Sequence, residues 1–290
     1  MKLIVKFNLV LLLIFAVGFL ATGYVSNRLL QRNAREEVLE NARIMMEAAL
    51  AVRSYTNTQI KPLLETQLKY SFLPQSVPAY SANEYFKQLH TKFPDYSYRE
   101  ATLNPTNPVN RATDWEADIV RYFRQSPDRK EIEGVRDTPN GRVLYIARPM
   151  QIKDAKCLYC HSTPQMAPRT MIERYGSDNG FGWNLNDILT AQIVSAPMQL
   201  PVQRANTALA GFMISLATVF AIIFVALNGM LVFLVVRPVN QLAKVANEVS
   251  LGNLEVADYR PSGKDEIATL ADAFSRMRKS LKHAIKMLEV

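Results

Sequence analysis

The chain has 290 residues, of which 49% are hydrophobic and 21% charged, and it carries a formal net charge of +8. A mean hydropathy of −0.04 hides two stretches without any charged side chain, residues 7–25 and 205–236. Each reaches the length of about 20 residues with which a helix crosses a bilayer. A soluble cytoplasmic enzyme is therefore excluded. Two cysteines cannot build a disulfide framework, and without a basic block nucleic-acid binding has no support.

The first apolar stretch predicts a transmembrane helix over residues 7–25, and the second predicts another over residues 209–236. A cleaved signal peptide is the alternative for the first, because two lysines precede it and small residues lie near its end. Its apolar run exceeds the about 7–15 residues of a signal core, which favours an uncleaved anchor. Basic residues before the first helix and Arg237 after the second place both termini in the cytoplasm by the positive-inside rule. This predicts a two-pass protein of the bacterial inner membrane with residues 26–204 outside.

Residues 26–204 mix helical and strand patterns, which predicts an α+β domain. A long amphipathic helix is predicted over residues 28–56, with Pro62 ending or bending it. The residues beyond Pro74 read as irregular and aromatic, and the stretches at 104–108 and 175–183 have turn and glycine-loop composition. The other predicted elements are a helix at Trp115–Arg124, a hairpin turn at Asn140-Gly141, and strands at Val143–Ala147 and Ala191–Ser195.

The sharpest chemical signal is the pentapeptide Cys157-Leu-Tyr-Cys160-His161. The pattern C-x-x-C-H is typical of c-type haem attachment, in which two thiols bond to the porphyrin and the histidine ligates the iron. A zinc site lacks partners, because no other cysteine exists and His90 is the one other histidine in this domain. A redox or structural disulfide between the two cysteines is the second interpretation. A disulfide does not require a histidine after the second cysteine, whereas haem attachment uses both cysteines and His161.

Several further motifs occur in an order that resembles the DUF3365, or Tll0287-like, haem domain over roughly residues 35–200. They are Tyr98-Arg99-Glu100, Asn104-Pro105-Thr106-Asn107, Ala147-Arg148-Pro149, the pentapeptide, Ala167-Pro168, Tyr175-Gly176 and Gly180-Phe181-Gly182-Trp183. The resemblance implies a PAS-like fold that carries one covalent haem c with its iron, used as an extracytoplasmic sensor input. Composition and spacing alone predict only a mixed domain with the attachment motif.

The sixth iron ligand is left open by the sequence. Donors that remain after the pentapeptide are His90, Met45, Met46, Met150, Met166, Met171 and Met198. We predict Met46 or Met45 ahead of His90, because an apolar helix face suits a haem edge and this helix continues from the first span. Core packing is the alternative role for these methionines. Arginines predicted as partners of the haem propionates are Arg99 and Arg148, with Arg169 as a third candidate.

The region after the second span carries a heptad pattern. A short apolar stripe runs from Leu242 to Val249, and a longer one, the C-terminal seam, steps 3-4 through Ile267, Leu270, Phe274, Met277, Leu281, Ala284 and Leu288. Residues 237–284 resemble a HAMP domain, with Pro238 at its entry and Asp265-Glu266-Ile267 in its second-helix motif. The resemblance implies a parallel four-helix bundle made by two chains, so a cytoplasmic HAMP coiled coil over 237–290 and a homodimer are predicted. An amphipathic helix on the membrane surface is the alternative, but its acidic residues suit an anionic lipid surface poorly.

Three classes of function are compatible with these features. A haem-based sensor would pass a redox or gas-ligand state through HAMP to a separate cytoplasmic protein, such as a histidine kinase or another effector. A membrane-anchored c-type cytochrome for electron transfer is the alternative. The third class is an enzyme, most plausibly a histidine kinase, of which this chain could be a kinase-less fragment. No ATP-binding domain follows the seam and His283 lacks a phosphoacceptor context, so no enzyme activity is expected. A sensor uses both spans and the heptad transmitter, which favours that class.

Overall fold

A computed structural model describes residues 2–139, 141–261, 263 and 265–288 of the chain. The structure separates into two compact units. One unit is Asn27–Thr207, and the other joins Met1–Ser26 with Ala208–Val290.

The unit Asn27–Thr207 combines helices with one antiparallel sheet, as the α+β prediction requires. Its long first helix, α1, runs Leu3–Tyr55 and so includes residues of both units. The following helices are α2 Lys61–Leu63, α3 Glu65–Leu68, α4 Pro78–Lys92, α5 Asp114–Gln125, α6 Leu158–His161 and α7 Arg169–Tyr175. The strands are β1 Ser97–Thr102, β2 Ile132–Thr138, β3 Gly141–Gln151 and β4 Ile188–Pro197.

The sheet has the strand order β1-β4-β3-β2, and every neighbouring pair is antiparallel. In its register Glu100 lies opposite Gln192 and Thr102 opposite Thr190, while Thr190 also lies opposite Met150 of β3. The predicted hairpin turn falls partly on Asn140, which is outside the described residues, and Thr138 pairs with Gly141 beside it.

Helices cover both faces of the sheet because its strands alternate apolar side chains to each side. On the face that we call the α1 face, α1 and α4 pack through Met46 and Phe86 against Leu144 and Val194. On the opposite face, α5 packs against the sheet. The core there contains Ala101, Ile119, Val120, Phe123, Ala147, Ile188, Ala191 and Ile193. The two layers of helix fix the sheet between two apolar cores.

The regular α-helix of α1 ends at Tyr55. A π-helical turn at Thr56–Ile60 follows it, and Pro62 lies in the short α2 beyond. The predicted helix over residues 28–56 is confirmed, and the predicted interruption occurs one turn before the proline. Helical backbone continues through the π turn as far as Leu63.

The other unit is helical. The stretches Ile4–Leu63 and Gln199–Ser250 each contain a window long and apolar enough to cross a membrane. Helix α8 runs Gln199–Met230 and continues through a π-helical segment, Leu231–Val236, into α9, Arg237–Ser250. Within this unit, Phe15 of α1 stacks on Phe220 of α8 with ring centroids 4.7 Å apart.

Helix α10, Glu266–Leu288, follows an irregular connector that contacts it through charged side chains. Arg278 pairs with Asp258 at 2.6 Å and also donates to the Val256 carbonyl, while Lys282 pairs with Glu255 at 2.5 Å. The seam residues Leu270, Met277 and Leu281 are exposed on the single chain. An apolar seam that is exposed on one chain agrees with the predicted association of two.

Candidate functional site

A cavity of about 440 Å³ lies in the unit Asn27–Thr207. Its floor is the α1 face of the sheet, with Thr102, Thr190 and Met150 side by side in register. The volume falls in the range of about 300–1,000 Å³ typical of small-molecule and cofactor sites. Asn57 and Lys61, which follow α1, also belong to the lining, so the sheet and the helical continuation of α1 both border the cavity.

Both cysteines of the pentapeptide line this cavity as free, half-buried thiols. Cys157 ends a 3₁₀ turn that begins at Ala155, and Asp154 caps that turn by accepting the Lys156 backbone N–H at 2.9 Å. Cys160 lies in α6, which follows directly. Burial raises the pKa of both thiols, and the Asp154 carboxylate adds to the rise at Cys157. Two protonated thiols one helical turn apart thus face the same space.

His161 lines the cavity next to the thiols and is held by two other loops. Its Nδ1 lies 2.8 Å from the Gly180 carbonyl oxygen and 3.3 Å from Thr106 Oγ1. Because a carbonyl only accepts, Nδ1 carries the proton and Nε2 keeps its lone pair, the state of a metal-ligating histidine. Burial lowers the pKa of His161, which favours this neutral form. The imidazole also stacks on the Trp183 indole, with centroids 3.9 Å apart and planes 8° from parallel.

Gly180 is the point where the glycine loop and the 104–108 turn meet beneath the histidine. Its φ is +86°, and a Cβ there would lie 2.0 Å from Thr106 Oγ1, so no other residue fits. Asn104 fixes both sides of the contact, accepting from the Gly180 N–H at 2.9 Å and donating to the Phe181 carbonyl at 3.0 Å. Three motifs that are far apart in sequence therefore form one support for the imidazole.

A buried polar network forms the wall of the cavity nearest α1. Arg53 donates from one nitrogen to both carboxylate oxygens of Glu100, at 2.7 Å each, and the Tyr98 hydroxyl donates to Glu100 Oε1 at 2.7 Å. Gln192 donates to the Tyr98 oxygen at 2.8 Å. Burial raises the pKa of Tyr98 well above its ordinary value, with the Glu100 charge adding to the rise. Arg53 and Glu100 both line the cavity, so the network connects α1, β1 and β4 at its edge.

None of the preferred distal candidates is in the cavity lining. Met46 is fully buried in the core between α1 and the sheet, with Met45 packed beside it. His90 is exposed, and its Nδ1 lies 2.9 Å from the Tyr96 carbonyl. Ligation of the iron by these residues stays a prediction, and their positions do not support it. The apolar face of α1, which carries Met45 and Met46, packs against the sheet and does not face the cavity. Two other methionines from the open donor set do line the cavity, Met150 and the buried Met171.

The arginines predicted to hold propionates also lie outside the lining. Arg99 is paired with Glu116 at 3.2 Å, Arg148 with Glu47 and Glu131, and Arg169 with its helix neighbour Glu173. The basic residues that do line the cavity are Arg53, Lys61 and Lys156. The sequence could have pointed to Lys156 as a residue of the site, because it is next to Cys157. Arg53 and Lys61 are far from the pentapeptide in sequence, and only the folded chain brings them to the cavity.

Comparison with known proteins places this site in a family. Residues 31–197 match the family model Tll0287-like, described as Tll0287, and residues 230–283 match the HAMP domain. A solved structure described as the cyanobacterial heme-protein Tll0287 is 19% identical, with a TM-score of 0.44, and the match covers 56% of this chain and 95% of that one. No curated protein matches the chain.

A mixed helix and sheet domain, two candidate membrane-spanning helices and a HAMP domain define the class of membrane signal transducers. Within that class the chain belongs to the Tll0287-like family, whose model covers more than half of it. Both resemblances noted in the sequence are thereby confirmed.

Proposed function

We propose that Cys157 and Cys160 attach one haem c covalently and that His161 Nε2 is the proximal iron ligand. Each thiol would add across one vinyl group, forming a C–S bond and placing the thiol hydrogen on the neighbouring carbon. The family relationship supports haem as the cofactor. The observation that carries the proposal is that both thiols and the imidazole line one cavity, with Nδ1 already committed to Gly180.

The residues of the cavity fit this group in a second respect. Much of the lining is apolar or aromatic, as the body of a porphyrin requires, and it includes Phe72, Met171 and Trp183. Haem, when bound, supplies an iron whose charge and coordination respond to redox state and to small gases. The chain's part is to fix the imidazole through Gly180 and Thr106 and to surround the iron with a mostly apolar wall.

Covalent attachment is tested by expressing the full chain with cytochrome c maturation factors and staining a denaturing gel for haem. We expect the wild-type band to stain and the Cys157→Ser/Cys160→Ser double variant to lose all stain. The single variants are the matched controls, since each keeps one thiol for one thioether. A colourless wild-type band would reject covalent attachment and favour the disulfide reading.

We further propose that the protein is a haem-based membrane sensor that signals through its HAMP domain. The proposed domains are transmembrane helix 7–25, a PAS-like extracytoplasmic haem domain 26–204, transmembrane helix 209–236 and the cytoplasmic HAMP region 237–290. The HAMP match favours sensing over a role as an anchored electron carrier, because electron transfer alone has no use for such a transmitter. The proposed signal is a redox change or a gas ligand, and the proposed recipient is a separate cytoplasmic signalling protein.

Signalling of this kind requires two chains in parallel and two packings of the HAMP helices. The exposed seam residues Leu270, Met277 and Leu281 supply the apolar surface that a second copy would cover. A change at the iron shifts such a bundle only if the two packings differ in their affinity for the two states of the haem domain.

Cysteine crosslinking in membranes tests both requirements. Cysteines introduced at Leu270 or Phe274 on the seam should crosslink between chains, at rates that differ between oxidised and reduced haem. A cysteine at Asp272, exposed and off the seam, is the matched control and should crosslink less. Absence of crosslinking would reject the dimer, and equal rates in both redox states would reject the switch.

A further inference from the structure

The cavity lining carries more positive than negative side chains. Three basic residues, Arg53, Lys61 and Lys156, face two acidic ones, Glu100 and Asp154. Arg53 is already neutralised by the buried Glu100 carboxylate at 2.7 Å, and Asp154 accepts a backbone N–H at the start of its 3₁₀ turn. The ammonium groups of Lys61 and Lys156 have no ion pair within the described part of the chain.

The remainder of the lining is largely apolar and aromatic. It includes Leu68, Phe72, Tyr80, Ile152, Met171 and Trp183. A wall of this kind selects an apolar body. A hydrogen bond from a neutral N–H leaves the formal charge of Asp154 in place, so the lining sums to +1, and its two ammonium groups without an ion pair select negative charge on that body. A ligand that satisfies both requirements is an aromatic macrocycle with carboxylate substituents.

We infer that Lys61 and Lys156 bind the carboxylates of the group that occupies the cavity. With the covalent haem proposed above these carboxylates are the two propionates, so this assignment rests on that proposal. Lys61 and Lys156 thereby take the role that the sequence alone gave to Arg99 and Arg148, whose guanidinium groups are engaged elsewhere.

The first test is a redox titration of the full-length haem-loaded protein. The variants are Lys61→Gln, Lys156→Gln and their combination. Removing positive charge beside the propionates favours the ferric iron. We therefore expect each lysine variant to have a lower midpoint potential than wild type, and the double variant the lowest.

The matched control is Lys69→Gln, an exposed lysine that is not in the lining. Its potential should equal that of wild type. A double variant that titrates like this control would overturn the assignment of the lysines.

A second measurement separates this inference from covalent attachment. The Cys157→Ser/Cys160→Ser chain is titrated with protoporphyrin IX and with its dimethyl ester, and binding is followed by absorbance. We expect preference for the diacid, reduced about two- to fivefold for each lysine replaced, the range of an exposed ion pair. Equal preference with and without the lysines would refute carboxylate binding even if the wild-type chain carries covalent haem. A colourless wild-type gel band would instead refute only the attachment.

Discussion

The two ends of one sheet face serve different purposes. At one end Leu144 and Val194 lie under Met46 of α1 and are fully buried. At the other end the same alternation of side chains places Thr102, Thr190 and Met150 on the floor of an open cavity. The strands are continuous across the boundary. One register of strands can therefore carry stability and ligand binding together, with Met46 of α1 packed at one end and Asn57 and Lys61, beyond Tyr55, lining the cavity at the other.

The largest expected effect comes from truncating a buried methionine at each end. Met46→Ala leaves a hole in the closed core and should lower the free energy of unfolding by about 2–5 kcal/mol. It should leave the ferric haem spectrum unchanged, because Met46 is not in the cavity lining. Met171→Ala should shift that spectrum, because Met171 is buried in the cavity wall. Urea unfolding of the full chain in nanodiscs and absorbance spectra provide the two readouts.

This pair of variants also tests the distal ligand. A spectral change in Met46→Ala, with none in Met171→Ala, would restore the ligand predicted from sequence. It would also show that the packed end of the face participates in the chemistry.

A smaller loss is expected from Gly180→Ala, with Gly182→Ala as its matched control. Both glycines have positive φ, so both variants carry backbone strain of about 1 kcal/mol. Only at Gly180 does the added methyl also meet Thr106, so that variant should lose about 2–4 kcal/mol of unfolding free energy. It should also perturb His161, the proposed proximal ligand, which a changed ferrous spectrum would detect. Equal losses in the two variants would show that the contact beneath His161 is not tight.

Tyr98→Phe should cost less, about 1–2 kcal/mol, since it removes two hydrogen bonds without changing the ring volume. The hydroxyl joins Glu100 to Gln192, while the ring stacks on Phe86 at 4.5 Å. Tyr98 lies at the boundary between the packed and the open end of the sheet face. The variant therefore tests whether the hydrogen bonds among Tyr98, Glu100 and Gln192 contribute to the stability of the fold. Thermal unfolding followed by circular dichroism measures it, and an unchanged midpoint would mean that water replaces the hydroxyl.

The smallest effect is expected at His90. Its imidazole is exposed and bonded to the Tyr96 carbonyl, away from the cavity lining. His90→Ala should therefore leave the spectrum and the carbon monoxide affinity of the ferrous protein unchanged. A shift in either would place a flexible part of α4 at the iron.

The sequence predicted those helices and strands whose hydrophobic periodicity is visible within a short segment of the chain. The stripe of α1, the helix at α5 and the strands β3 and β4 lie where periodicity placed them, although β3 and β4 extend further. The sequence pattern does not predict helix α4, because aromatic residues mask its period, although Pro78 occupies a favoured first helical position.

The candidate site divides in the same way. The pentapeptide identified Cys157, Cys160 and His161, because their chemistry depends on adjacent residues. Arg53 and Glu100 are 47 residues apart and meet only when α1 packs on β1. Contacts of that range depend on the complete fold, and no spacing in the sequence marks them.

The stacking of Trp183 on His161 has an optical consequence. The chain contains two tryptophans, and the other, Trp115, lies on the opposite face of the sheet beneath the Arg136 guanidinium. A coloured group in the cavity would quench the emission of Trp183 more strongly than that of Trp115, because energy transfer falls steeply with distance. The protein thus contains a reporter at the site and a reference within the same domain, and their intensity ratio would follow occupancy of the cavity without any added label.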